Sequence, residues 1–156
     1  LADDQHRHFG VGQHFARLAH LFDVNTAANS ELIRVVIAGD SACLRASLKT
    51  MLELDPRIRV VGEAADDCET IKISRKLRPD VLLIDLDMPC CDHLETVAEV
   101  SDRKLASSIV ALTIHGDETA RTAALAAGAN VLLEKGVPYR QLIKAIRLGA
   151  ANRQTP

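Results

Sequence analysis

From residue 32 onward, short runs of aliphatic residues alternate along the chain with stretches in which apolar residues recur at helical spacing. The runs predict five strands, at residues 33–38, 58–62, 81–85, 109–113 and 131–133. The intervening stretches predict five helices. Strands that alternate with helices require crossover connections, which are right-handed, so the pattern indicates an α/β domain with a parallel sheet covered on both faces.

Residues with local roles mark where the predicted helices begin and end. Helical stretches begin at the pair Asp66-Asp67, at Asp92 and at Asp117, where a carboxylate caps the first backbone amides. Pro138 suits the first turn of the last helix, and Gly128 suits the residue that ends the fourth. In the last helix Leu142, Ala145 and Ile146 are expected to face inward.

The third strand carries four apolar residues that run straight into Asp85, which is typical of a strand buried on both faces. With the strand order 2-1-3-4-5, the first and third strands are neighbours at the switch point, where open α/β sheets bind their ligands. Asp40 follows the first strand and converges with Asp85. Thr113 ends the fourth strand and Lys135 follows the fifth, at the same edge.

These four residue types together predict phosphoryl chemistry. Two neighbouring carboxylates favour a hard divalent cation, and Mg²⁺ with several waters fits. An aspartate can act as a nucleophile on phosphorus. The metal and a lysine would neutralise the phosphoryl oxygens, and a threonine hydroxyl would hydrogen-bond one of them.

Residues 32–150 resemble the receiver domain of bacterial two-component response regulators, in particular that of NarL/LuxR-type transcription factors. The likeness lies in residues 33–40, 60–65, 78–89, 110–113 and 128–129, with Lys135 beyond them. It implies a flavodoxin-like (βα)5 doubly wound parallel sheet in the order 2-1-3-4-5. Together with the different composition of residues 1–30, it predicts an N-terminal arm and linker (1–30), a receiver domain (31–150) and the start of a C-terminal linker (151–156).

The resemblance also assigns roles to individual residues. Asp85 is the implied phosphoacceptor for a partner histidine kinase, and Asp40 is a direct Mg²⁺ ligand. Asp87 offers its backbone carbonyl to the metal, Thr113 is the switch hydroxyl, and Lys135 pairs with the phosphate. Phosphorylation would shift the face made by the fourth helix, fifth strand and fifth helix, without enzymatic activity beyond self-dephosphorylation.

Four positions depart from the family pattern. Gly39 replaces the first of two adjacent acids, so we expect weaker Mg²⁺ binding. The loop 88–93 reads Met-Pro-Cys-Cys-Asp-His and lacks two glycines, which has a cost if either needs a positive φ. Leu132 replaces the aromatic switch residue, which excludes coupling by an aromatic flip. Ile114 replaces a small residue and is expected to narrow access to the site.

Two other functions stay open. One is a pseudo-receiver, a binding module that keeps the fold and switches by another route, which Gly39 and Leu132 favour. The other is a phosphatase, because Asp85-Leu86-Asp87 resembles the nucleophile pair of haloacid-dehalogenase-type enzymes. That family carries the pair on its first strand rather than its third, and no second acidic pair follows Lys135.

Side chains near the predicted site suggest additional regulation. Cys90 and Cys91 would lie next to the phosphoacceptor, where exposed thiols could gate it by oxidation, although they also suit simple loop filling. His93 and His115 flank the same site and could tune it with pH. We expect both to be solvated loop histidines.

Residues 1–30 differ from the rest of the chain. An apolar stripe at helical spacing predicts an amphipathic arm that packs on the main domain or on a second copy, through Val11, Phe15, Leu18 and Phe22. His14 and His20 are candidate ligands of a metal ion, but their spacing of six residues is poor for one helix face. Residues 25–30 form a polar linker.

Charge and composition limit the partners. A formal net charge of −2 gives no basic field for nucleic acid binding by this segment. The resemblance implies that DNA is contacted through a helix-turn-helix domain that follows from about residue 156. The chain is therefore expected to be the receiver half of a transcription factor, in preference to a stand-alone receiver. No apolar run suits a membrane span and no signal peptide is visible, which favours the cytoplasm. Tyr139 and Ile143, outside the inward stripe, favour a homodimer.

Overall fold

The structure, a computed structural model, describes residues 31–89 and 92–154. Its strands are β1 (Ile33–Ala38), β2 (Ile58–Ala64), β3 (Val81–Asp85), β4 (Ser108–Thr113) and β5 (Val131–Glu134). Its helices are α1 (Ala42–Leu52), α2 (Asp67–Leu77), α3 (His93–Asp102), α4 (Glu118–Ala127) and α5 (Tyr139–Ala151), followed by a 3-10 turn (Asn152–Gln154). Within these residues, no helix is both long and apolar enough to cross a bilayer.

The five strands form one parallel sheet in the order β2-β1-β3-β4-β5. This confirms the predicted fold class and strand order. β2 extends two residues beyond its predicted end, and the register of the β1–β2 pair shifts between Val35 and Val36. β3, the central strand, is buried over its whole length, as its continuous apolar run predicts.

Alternation along each strand divides the core into two layers. One layer, under α1 and α5, includes Val35, Ile37, Leu83 and Leu112. The other, under α2, α3 and α4, includes Val36, Leu82, Ile84 and Ala111. Successive strand residues point to opposite faces, so a run of aliphatic residues serves both layers and holds the strand ends in fixed positions.

The predicted helix ends are confirmed by their caps. The carboxylates of Asp66, Asp92 and Asp117 accept hydrogen bonds from backbone amides in the first turns of α2, α3 and α4. Gly128 ends α4 with φ of 113°, a conformation that costs glycine little. Pro138 stands one position before α5 rather than inside its first turn.

The prediction that Tyr139 and Ile143 lie outside the inward face of α5 is wrong. Ile143 is buried in the core layer under α1 and α5, and Tyr139 packs partly buried against it. The inward stripe of α5 is therefore wider than three residues, because the helix lies across the sheet and buries both flanks of the stripe. Leu148, by contrast, is 60% exposed. Of the two residues named as a dimer surface, Ile143 belongs to the core and Tyr139 packs against it.

The predicted arm, its histidines and its linker fall in residues 1–30, outside the described residues. Cys90 and Cys91 also lie outside them. The N-terminal part, Leu1–Glu31, is a unit separate from Leu32–Pro156. The site described below belongs to the second unit alone.

Candidate functional site

The site forms where the carboxyl ends of four parallel strands lie side by side. Register fixes their relative heights through the pairs Ala38 with Ile84, Asp85 with Leu112, and Thr113 with Glu134. Asp85 therefore ends the central strand between the ends of β1 and β4. The structure brings together Asp85, Asp87, Thr113 and Lys135 through direct contacts.

Asp85 is a buried carboxylate with an oriented partner on each oxygen. It is 4% exposed, and the Nζ of Lys135 lies 2.7 Å from its Oδ2. The backbone amide of Asp87 donates to its Oδ1 over 2.8 Å. A buried charge requires such pairing, and here the pairing also fixes the direction in which the carboxylate points.

The Asp87 carboxylate occupies the space beside Asp85. Its Oδ1 accepts a hydrogen bond of 2.8 Å from Thr113 Oγ1, and its Oδ2 accepts one of 2.7 Å from the amide of Ile114. Lys135 Nζ lies 3.0 Å from the same Oδ2. Partial burial by itself raises the pKa of Asp87, but the Thr113 and Lys135 hydrogen bonds outweigh it and hold this pKa below its usual value.

Lys135 is held as a cation between two carboxylates. Burial alone lowers the pKa of its ammonium group, but hydrogen bonds and charge from Asp85 and Asp87 raise that pKa above its usual value overall. The Lys135 amide also donates to the Thr113 carbonyl over 2.8 Å, which aligns the residue after β5 with the end of β4. The prediction that Lys135 reaches the aspartates is thus supported by direct contact.

Asp40 follows β1 at the same edge, with its side chain exposed. The Arg45 side chain fixes this connection, since its Nη1 donates to the carbonyl of Gly39 over 2.6 Å. A Cβ atom on Gly39 would lie 3.5 Å from Asp85 Cβ, which places this backbone directly against the phosphoacceptor candidate. Asp40 and Asp85 are therefore neighbours by strand pairing rather than by a hydrogen bond.

The donor set can be compared with what Mg²⁺ requires. Among residues 31–89 and 92–154, no group of three or more His, Cys, Asp or Glu side chains is arranged to hold a metal ion. Mg²⁺ sites, however, commonly use only one or two carboxylates together with waters and phosphate oxygens. The carboxylates of Asp40 and Asp85 and the carbonyl of Asp87 fit such a site. Gly39 removes the further acid that would complete a group of three.

The family of this chain follows from its similarity to known proteins. Residues 35–147 match the response regulator receiver domain family. The chain is a receiver domain of that family. The match covers more than half of the chain and includes every residue of the site, namely Asp40, Asp85, Asp87, Thr113 and Lys135.

Curated relatives and solved structures agree with this assignment. The nitrate/nitrite response regulator protein NarL of Escherichia coli strain K12 is 32% identical over 124 residues, which are 80% of this chain and 57% of that protein. A LuxR-family two-component response regulator from Aurantimonas sp. SI85-9A1 has a TM-score of 0.72 at 26% identity, covering 78% of this chain and 86% of that one.

A third similar structure is the isolated receiver domain of RcsB from Salmonella enterica serovar Typhimurium, determined in the presence of the phosphomimetic BeF3⁻. Its TM-score is 0.68 at 26% identity, with 80% of this chain and 91% of that chain covered. The receiver spans a little over half the length of NarL. These matches leave the phosphatase hypothesis without support.

The expectation of a solvated His93 is wrong. His93 is 6% exposed and begins α3. Its Nδ1 lies 2.9 Å from Asp67 Oδ1, and its Nε2 lies 2.5 Å from the Met88 carbonyl oxygen. Both partners accept hydrogen bonds, so the ring satisfies both only as the doubly protonated imidazolium. No periodicity in the sequence indicates that Asp67, from α2, lies opposite this position.

The same contacts determine the direction in which the pKa of His93 is shifted. Burial alone lowers its pKa, but the Met88 carbonyl, the Asp67 carboxylate and the charge of Asp85 raise that pKa above its usual value overall. His93 also replaces one of the two missing loop glycines. Among the described non-glycine residues, positive φ occurs only at Arg78 and Lys104, so position 93 carries no such strain.

The remaining departures have defined places. Leu132 is 1% exposed and fills the core layer under α2, α3 and α4. The Ile114 side chain is 59% exposed, while its amide belongs to the site. His115 is exposed as expected, and its amide donates to Thr113 Oγ1 over 3.1 Å.

Proposed function

We propose that this receiver accepts a phosphoryl group on Asp85 from a histidine kinase, with Mg²⁺, and thereby switches an output surface. The observation that carries the proposal is the contact of 2.7 Å between Lys135 Nζ and Asp85 Oδ2 at the centre of the strand ends. A cation held against a buried, oriented carboxylate is the arrangement that stabilises a phosphoryl group added to that carboxylate.

Asp85 would act as the nucleophile. One of its oxygens attacks phosphorus, the bond from phosphorus to the kinase imidazole breaks, and the imidazole leaves. The amide of Asp87 and the ammonium of Lys135 already orient the two carboxylate oxygens. Lys135 then neutralises part of the phosphoryl charge, and it needs little reorganisation because it is in place beforehand.

Asp40, Asp85 and the Asp87 carbonyl would hold Mg²⁺. When bound, the ion supplies positive charge for the phosphoryl oxygens. The exposed side chain of Asp40 suits a ligand that stays partly hydrated. With Gly39 in place of a further acid, the site has fewer charges for the cation, and we propose weaker binding rather than none.

Thr113 would couple the site to the surface. It ends β4, and the connection from Ile114 to Asp117 leads directly into α4. A move of Thr113 toward the phosphoryl group therefore pulls on the segment that positions α4. That is a local electrostatic change acting on a surface with two arrangements.

The similarity to NarL indicates which process the receiver would regulate. Because the chain resembles NarL over the part of NarL that it spans, we propose that it serves a transcription regulator. DNA would be contacted by a C-terminal helix-turn-helix domain, reached through a linker that follows α5. Phosphotransfer from such a kinase would take place in the cytoplasm, which is the location we propose for the receiver.

Homodimerisation is part of this proposal, on residues other than those first named. β5 is an edge strand of the sheet, and exposed Leu125 and Leu148 lie on the flanking helices α4 and α5. An open strand edge flanked by apolar side chains favours association with a second copy. Sedimentation velocity with and without beryllofluoride tests this, and a monomer in both states contradicts it.

The pseudo-receiver stays the second candidate, favoured by Gly39 and by the commitment of Thr113 to Asp87. Acetyl phosphate with Mg²⁺ separates the two. A phosphoacceptor gains the mass of one phosphoryl group, and Asp85→Asn abolishes the gain. The exposed Asp102→Asn serves as the control and leaves it unchanged. If the wild type gains no mass and beryllofluoride shifts no amide resonance, the pseudo-receiver stands.

A further inference from the structure

Three donors of different kinds converge on the Asp87 carboxylate. They are the hydroxyl of Thr113 at 2.8 Å, the amide of Ile114 at 2.7 Å and the ammonium of Lys135 at 3.0 Å. A hydroxyl, a backbone N–H and a cation are the groups that stabilise an anion in a protein. The sequence indicated only the backbone carbonyl of Asp87, and its side chain had no assigned role.

The Thr113 hydroxyl has both of its bonding functions in use. It donates to Asp87 Oδ1 over 2.8 Å and accepts from the amide of His115 over 3.1 Å. A hydroxyl has one proton to donate, so Thr113 cannot donate to a phosphoryl oxygen on Asp85 while it donates to Asp87. The same exclusion applies to the single proton of the Ile114 amide.

Lys135 is shared between the two carboxylates, at 2.7 Å from Asp85 and 3.0 Å from Asp87. We propose that the Asp87 side chain is a positioning residue that occupies the anion donors of this site in the unphosphorylated chain, so that a phosphoryl group on Asp85 must displace it. This inference rests on the proposed function and concerns how that site is regulated.

Displacement of Asp87 links chemistry to movement. Thr113 and Ile114 join β4 to the segment before α4, and Asp87 holds both of them from the β3 side. Their release frees that segment, and the released carboxylate is accessible to water because it is already 20% exposed. The carboxylate therefore favours the resting arrangement and lowers the apparent affinity for an added anion.

Asp87→Asn tests the proposal, since it removes the charge at constant size and keeps the backbone carbonyl. The matched control is Glu134→Gln, which removes the same charge from the residue next to Lys135. Beryllofluoride with Mg²⁺ is titrated into the full chain and followed by amide NMR. We expect Asp87→Asn to bind beryllofluoride at least about fivefold more tightly than the wild type, and Glu134→Gln to change affinity by less than about twofold.

Two further readouts separate positioning from a general charge effect. In the ligand-free Asp87→Asn variant, the Ile114 amide resonance is expected to lie closer to its position in the beryllofluoride-bound wild type. In a Thr113→Val background, Asp87→Asn should raise the beryllofluoride affinity by a smaller factor, because the Thr113 hydroxyl that the substitution would release is absent.

The outcomes distinguish the two proposals. The role of Asp87 is refuted if the wild type binds beryllofluoride and Asp87→Asn binds it no more tightly. It is also refuted if Glu134→Gln raises the beryllofluoride affinity as much as Asp87→Asn does. In both cases the phosphoacceptor function stands. If neither the wild type nor Asp87→Asn binds beryllofluoride while both remain folded, both proposals fail.

Discussion

Gly39 is the residue at which this receiver departs most directly from the acidic pattern of its family, and the structure shows space for the missing side chain. A Cβ there would lie 3.5 Å from Asp85 Cβ and 3.9 Å from Asp85 Oδ2, which are ordinary contacts. We expect Gly39→Asp to bind Mg²⁺ roughly tenfold more tightly, because a third nearby carboxylate adds charge for the ion. Isothermal titration calorimetry with Mg²⁺ measures the change.

Gly39→Asn is the matched control, since it adds a side chain of the same size without the charge. It should leave Mg²⁺ affinity within about twofold of the wild type. Without Mg²⁺, Gly39→Asp should melt at a lower temperature than Gly39→Asn, because its charge lies against buried Asp85. Equal Mg²⁺ affinities for the two variants would show that charge at position 39 does not limit binding.

His93 gives a prediction with a defined pH dependence. Its pKa is raised in the folded chain by the Met88 carbonyl and the Asp67 carboxylate, which outweigh burial. The stabilisation is therefore fully present below the unfolded pKa of about 6.5 and is lost as pH rises through the higher folded value. We expect His93→Asn to lower the free energy of unfolding by about 1–3 kcal/mol at pH 6 and by less at alkaline pH.

Urea unfolding across this pH range measures the difference between wild type and variant. The exposed His115→Asn is the control and should show no such pH-dependent loss. A His93→Asn deficit that stays constant or grows between pH 6 and pH 9 would contradict the imidazolium assignment.

Some features of single residues in the site could be predicted from the sequence and others could not. Asp85 and Lys135 could be predicted because Asp85 ends β3 and Lys135 directly follows β5, and parallel strands place such residues at one edge. The contact between His93 and Asp67 could not, because it joins residues 26 positions apart on two helices whose facing sides periodicity does not specify. The same limit hid the role of the Asp87 side chain, whose donors come from the last residue of β4, the residue after β4 and the residue after β5.

At the scale of elements, the approach of α5 to the sheet depends on Gly149. A Cβ at this position would lie 2.5 Å from Ser108 Oγ and 2.9 Å from Ser108 Cβ, at the start of β4. We expect Gly149→Ala to destabilise the fold by about 1–3 kcal/mol despite its better helix propensity, because helix or strand must move. Chemical denaturation measures the loss.

Ser108→Gly removes both atoms that the new methyl would meet. The cost of Gly149→Ala should therefore be smaller in the Ser108→Gly background than in the wild type, which a double-mutant cycle quantifies. Gln141→Ala, on the exposed side of α5, is the control for alanine substitution in this helix. A cost of Gly149→Ala that is independent of residue 108 would locate the strain elsewhere.

Element boundaries were predictable where a local cap marks them and less so where only packing does. Asp92 and Asp117 marked two helix starts correctly, and of the predicted pair Asp66-Asp67 it is Asp66 that caps α2. β2 continues past Gly62 to Ala64. A Cβ at Gly62 would lie only 2.9 Å from Leu77 Cδ1, so the glycine leaves room for α2 against the strand. The breadth of the α5 stripe depends on how the helix lies on the sheet, which its own sequence does not state.

At the scale of the whole molecule, the last helix is tied to an early loop. Arg147 in α5 pairs with Asp55 in the turn after α1, across 92 residues of chain, and its Nε donates to Asp55 Oδ2 over 3.1 Å. The amide of Arg57 donates to the other oxygen over 3.0 Å. Asp55 is 5% exposed, so a buried carboxylate helps to close the layer under α1 and α5.

This contact predicts part of the acid sensitivity of the receiver. Burial alone raises the pKa of Asp55, but the Arg57 amide and the Arg147 guanidinium lower that pKa below its usual value overall. The stabilisation is therefore present above the unfolded pKa of about 3.9 and is lost as pH falls through the lower folded value. We expect Asp55→Asn to cost about 1–3 kcal/mol at pH 7 and less as the pH approaches that range, as measured by denaturation at several pH values. The exposed Asp102→Asn should cost almost nothing, and an Asp55→Asn loss that did not shrink on acidification would mean that the carboxylate contributes through its shape rather than its charge.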